Sequence, residues 1–62
     1  MLFRRFAIYC TVLNEDVWLI AKEVKEFYFD KFLQRNVLKM KDGKIFYPKE
    51  NLSTLNKLIY AD

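Results

Sequence analysis

Histidine is absent from this 62-residue chain, and cysteine, glycine and proline occur once each. A lone cysteine, Cys10, excludes an intramolecular disulfide framework. Without His beside it, no ligand cluster for a structural metal is left. The single glycine, Gly43, excludes a glycine-rich phosphate loop. So little Gly and Pro also argues against a linker or a disordered chain. Long apolar runs are missing too: nothing reaches the ~18 uncharged residues that a membrane-spanning helix needs. Phe6 to Leu13, following Arg4 and Arg5, has the length of a signal-peptide core, but Asn14-Glu15-Asp16 ends it and no small-residue cleavage site follows. These absences lead us to expect one domain over residues 1–62, in a reducing, cytoplasmic setting, with no cofactor and no membrane association.

Apolar and aromatic residues are plentiful. Hydrophobic residues make up 53% of the chain, with six Phe, four Tyr and one Trp. A domain this small hides only about 60% of the surface of its unfolded chain. Aromatic side chains burying about 150–250 Å² each must therefore supply much of the core. Trp18 is expected to be largely buried, and the apolar excess points to a homodimer. The net charge is +3, made of +2 over residues 1–13, −1 over 14–35, +3 over 36–49 and −1 over 50–62. The positive excess thus lies at the start and between Lys39 and Lys49.

Four elements can be read. In residues 5–13, Phe6, Ile8, Cys10 and Val12 alternate with Ala7, Tyr9, Thr11 and Leu13, as in a buried strand, although Leu2, Phe6, Tyr9 and Leu13 also fit a helix. Residues 15–35 contain no Gly, Pro, Ser or Thr. Asn14 is suited to cap a helix there, Glu15 and Asp16 suit its first turn, and Val17, Ile20, Ala21, Val24, Phe27, Tyr28 and Phe32 form an apolar stripe. The spacing predicts one central amphipathic helix. Residues 37–47 read as a hairpin around Asp42-Gly43, with Leu38, Met40, Ile45 and Tyr47 on one face and Lys39, Lys41, Lys44 and Phe46 on the other. Pro48 opens a C-terminal helix carrying Leu52, Leu55, Leu58 and Ile59. The expected fold class is α+β.

Catalysis is not expected. The carboxylates Glu15, Asp16, Glu23, Glu26 and Asp30 would sit beside Lys22 and Lys25 on a solvated helix face, and no His is present to move protons. Cys10, in an apolar run without a His partner, reads as a buried inert thiol. The basic hairpin is the most informative local feature, because Lys39, Lys41 and Lys44 on one face repel one another. A phosphate backbone would relieve that repulsion, with Phe46 packing against a sugar. Lysines on an exposed strand edge also serve simply to block edge pairing.

The stretch from Tyr28 to Ile59 resembles the second half of a small winged helix-turn-helix domain of the excisionase and MerR-like type. The likeness rests on Tyr28 to Arg35, the Asp42-Gly43 hairpin, and Tyr47-Pro-Lys-Glu-Asn-Leu52 leading into a helix. It implies a recognition helix with Lys31, Gln34 and Arg35 reaching toward DNA, and a wing carrying Lys39, Lys41 and Lys44. Two functions follow as expectations. One is a small DNA-binding regulatory or accessory protein, dimeric, using those residues and Phe46. The other is a protein–protein interaction module, an inhibitor or adaptor, docking an aromatic surface that includes Trp18, Leu19 and Phe29.

Overall fold

The computed structural model describes residues 4–60, and Leu2 lies outside them. Along β1 (Arg5–Cys10), Phe6, Ile8 and Cys10 are buried and the residues between them are not, the period-two pattern of a strand with one face on a core. A four-residue loop leads into β2 (Glu15–Ile20), which runs antiparallel with Arg5 opposite Ile20 and Cys10 opposite Glu15. A single 3-10 turn, Ala21–Glu23, connects to β3 (Val24–Asp30). A second four-residue loop returns as β4 (Arg35–Met40), with Asp30 opposite Arg35. The two loops are built alike. Asn14 and Gln34 both adopt φ of 58°, and each donates its N–H to the carbonyl four residues back, at 2.7 Å to Cys10 and 2.8 Å to Asp30.

Among the described residues the architecture is therefore mostly β, with five strands in two antiparallel sheets and one α-helix, and the α+β arrangement around a central helix is corrected. Residues 15–35 form β2, the 3-10 turn, β3 and the start of β4. Tyr28 to Arg35, expected as a recognition helix, is the end of one strand, a loop and the start of the next. Two physical reasons favour strands. Val17, Trp18, Ile20, Val24, Phe27, Tyr28 and Phe29 are β-branched or aromatic and fit a pleated, half-buried surface. A helix over residues 15–35 would also run about 31 Å with apolar groups on several sides and too little chain to cover them. Two hairpins instead fold those groups back onto one core.

The wing register also differs. A three-residue loop, 41–43, is closed by the Met40 N–H donating to the Lys44 carbonyl at 2.9 Å, and β5 (Ile45–Phe46) follows with Leu38 opposite Phe46 and Lys39 opposite Ile45. Gly43, at φ of 95°, occupies the left-handed position that such a three-residue loop requires, and Asp42 Oδ1 accepts the Lys44 N–H at 3.0 Å. The one-residue slip exchanges faces. Phe46 joins Leu38 and Met40 against the core, and Ile45 shares the outer face with Lys39.

Residues 45–49 then join the sheets. Ile45 and Phe46 pair with β4, while Pro48 forms a bridge with Cys10 of β1. Thr11 N–H donates to the Tyr47 carbonyl at 2.9 Å and Lys49 N–H to the Tyr9 carbonyl at 2.8 Å. Pro48 sits between these bonds at a position that calls for no N–H, so the proline costs nothing there. Glu50 completes the joint: its carboxylate accepts the Tyr9 N–H at 3.0 and 3.2 Å, and its carbonyl accepts Asn36 Nδ2 of β4 at 2.8 Å.

The C-terminal helix α1 spans Leu52–Tyr60 and begins later than Pro48 implied. Asn51 caps it, its Oδ1 accepting the Thr54 N–H at 2.8 Å. Leu55 and Ile59 are fully buried and lie with Phe6, Ile8, Leu19, Val24, Leu38 and Met40 in one core. Trp18, expected inside, is outside: it is 67% exposed, because strand alternation turns Leu19 inward and Trp18 out.

Replacing Glu50 by Ala removes a charge-assisted bond from Tyr9 N–H, and the expected loss is about 1.5–3 kcal/mol, read as a lower urea midpoint with an unchanged slope. An unaltered midpoint would show that the crossover holds without this carboxylate.

Candidate functional site

The register of the first hairpin determines what the outer edge of β2 offers. Ala21 N–H donates to the Arg4 carbonyl at 3.0 Å, and the ladder continues in that register with Arg5 opposite Ile20. Hydrogen-bonded and non-hydrogen-bonded pairs alternate along an antiparallel ladder. Phe6–Leu19, Ile8–Val17 and Cys10–Glu15 are therefore the hydrogen-bonded pairs. The backbone groups of Asp16 and Trp18, and the Ile20 N–H, point away from β1. Tyr9, opposite Asp16, confirms the phase, since its own N–H and carbonyl serve Glu50 and Lys49 on the far side of β1. Among the described residues β2 has no second strand neighbour.

A groove of about 430 Å³ lies along this edge, between β2 and the β4–β5 hairpin. Val17, Leu19, Met40 and Phe46 supply apolar walls continuous with the core. Trp18, Ile20, Glu23, Asp42 and Lys44 also line it. Trp18 and Ile20 are exposed on the outer face of the strand, so both faces of β2 are accessible from the groove. Ile20, Met40, Glu23 and Asp42 were not expected as site residues; the sequence places them in a stripe, a hairpin face, a solvated charge row and a turn. Reading 15–20 as a strand would have paired Trp18 with Ile20 on one face.

The residues expected to contact DNA are not gathered together. Lys31 and Gln34 occupy the β3–β4 loop, where Gln34 Nε2 donates to the Lys31 carbonyl at 2.7 Å. Arg35 stands 5.2 Å over the Tyr47 ring. Lys39 lies 3.9 Å from Glu26 and 5.6 Å from the Tyr28 ring centroid. Lys41 and Lys44 are exposed at the other end of β4, about 17 Å along the strand from Arg35 at ~3.3 Å per residue. Phe46 is half-buried in the groove. Of the expected protein-interface residues, Trp18 is exposed on β2, Leu19 is buried beneath it, and Phe29 is exposed on β3 in the other sheet.

Two further features stand apart from the groove. The hairpin loops each carry an exposed apolar pair, Val12-Leu13 and Phe32-Leu33, with Phe32 99% exposed. Cys10 is buried. Burial raises its thiol pKa, but backbone groups of Leu13, Tyr47 and Val12 outweigh that and hold it below the ordinary value. No cluster of three or more possible metal ligands occurs among the described residues, and no helix there is long and apolar enough to cross a membrane.

Trp18→Ala is expected to change stability by less than about 1 kcal/mol, because little of the ring is removed from water, whereas Leu38→Ala at the fully buried centre should cost about 2–5 kcal/mol. Urea denaturation of the two variants checks the contrast, and a Trp18 loss equal to that of Leu38 would place the indole in the core.

Compared with known proteins, the chain matches no protein-family model, no curated protein and no solved structure.

Proposed function

We propose that this protein is a protein–protein interaction module that docks a partner on the outer edge of β2 and the adjoining groove. The observation that carries the reading is Trp18, 67% exposed beside an apolar-walled groove. An indole held in water contributes little to folding, and aromatic anchors beside pockets dominate binding energy at protein interfaces. The walls are already partly dehydrated and their shape is set by the core, so a partner side chain entering the groove need not first order it.

The DNA reading draws less from the same geometry. Its helix-turn-helix frame is replaced by strands, and its basic residues divide between the two ends of β4, with Lys39 beside Glu26. Near the groove Lys44 and Lys22, 4.0 Å from Glu23, are offset by the carboxylates Glu23 and Asp42.

Affinity capture from native cell extract, using the whole chain as bait, separates the two readings. The expected result is a protein partner held by the wild type and lost by the folded double variant Trp18→Ala, Ile20→Asn. Retention by the double variant would overturn the assignment of the site. Duplex DNA binding at low ionic strength would favour the other reading, if its salt slope of about 0.9 per phosphate contact flattened when Lys39, Lys41 and Lys44 were changed to Gln.

A further inference from the structure

The sheets end on β1, β2, β3 and β5; residues 47–49 run along β1, and the chain treats the outer edges of β2 and β3 differently. The β3 edge is broken by a bulge between Val24 and Glu26, carries the charges of Lys25 and Glu26, and has Tyr60 of α1 against Phe27, with ring centroids 6.2 Å apart. Bulges and inserted charges are the usual means of preventing an edge from pairing. The β2 edge has none over Val17–Ile20. Its register is regular, without Pro or Lys, and its outer face there is Trp18 and Ile20. An alternating row of outward N–H and carbonyl groups is complementary to one kind of ligand, another extended backbone.

Resting on the docking function proposed above, we infer that the β2 edge binds its partner by strand addition, taking an extended segment of another protein with alternating apolar side chains. Such a segment bonds to the backbone of Asp16 and Trp18 and to the Ile20 N–H. Its inward side chains enter the groove between Leu19 and Met40–Phe46, and its outward ones lie beside Trp18 and Ile20. Charge does not narrow the segment further: Glu15, Asp16, Glu23 and Asp42 are matched around the edge by Lys22, 4.0 Å from Glu23, by Lys44, by Lys41, whose N–H donates to the Glu23 carbonyl, and by Arg5, opposite Ile20.

The groove also argues against a second copy of β2 as the occupant. In a copy, the inward side chains Val17 and Leu19 already pack in that copy's own core, so they cannot fill the groove of the first. A segment from another protein has its inward side chains available.

The test uses a random peptide library displayed on phage, panned against the full chain, with the recovered sequences then made as synthetic peptides. Recovered peptides should carry apolar residues at alternate positions. Binding should slow amide exchange at Asp16, Trp18 and Ile20. N-methylation along the peptide should weaken binding with period two, by roughly tenfold or less at each bonded position and little between them, as the loss of single backbone hydrogen bonds requires. Peptides that bind in a Trp18-dependent way, without the period-two pattern or amide protection, would overturn strand addition and leave the docking reading standing. Recovery of no peptide above background would overturn the inference. So would a dimer in sedimentation whose β2 edge is protected without peptide. The capture experiment decides the docking reading separately.

Discussion

Everything in this fold depends on how residues 45–50 tie two hairpins together. Each hairpin alone is a marginal structure, since two strands cannot hide their apolar faces from water. The crossover strand solves this by pairing first with β4 and then with β1, and Glu50 anchors it to both, through Tyr9 on one side and Asn36 on the other. Once the sheets are joined, Phe6, Ile8 and Leu19 of the first face Val24, Leu38 and Met40 of the second, and α1 closes the core with Leu55 and Ile59.

The same joint creates the candidate site. Because residues 45–49 leave β4 to reach β1, the two sheets do not merge into one continuous surface. β2 is left as an outer strand facing the β4–β5 hairpin across an apolar-walled gap. The site is thus a consequence of closing a small core with only two strand pairs and one short crossover. The exposed Trp18 and Ile20 are what strand alternation makes of the residues next to Val17 and Leu19. A small domain has little surface to spare, and an apolar edge of this kind is an aggregation hazard unless something covers it.

Some of this was legible in the amino-acid order. The alternation of Phe6, Ile8 and Cys10, the turn at Asp42-Gly43 and the Leu55–Ile59 face each follow from local chemistry. The segment 15–35 did not read correctly, because its apolar residues fit a helical stripe and a strand alternation at once, and Asn14 suits a helix cap as well as a left-handed loop residue. The wing register was misjudged by one residue because Asp-Gly serves two-residue and three-residue loops alike, and that slip alone reversed the placement of Phe46.

Local pattern therefore determined that the chain turns at Gly43 and closes on a C-terminal helix, whereas the aromatics expected to fill the core lie mostly outside it, Phe6 being the one buried aromatic among the described residues. Only the tertiary structure decided that residues 15–20 and 24–30 are strands, that Trp18 faces water and that β2 ends a sheet beside a groove. The physical reason is that strand pairing is non-local. Whether Val17 or Trp18 faces the core depends on Ile8 and Ala7 across the hairpin, and whether β2 has an outer neighbour depends on residues 45–50, so no window of the sequence around Trp18 contains the answer.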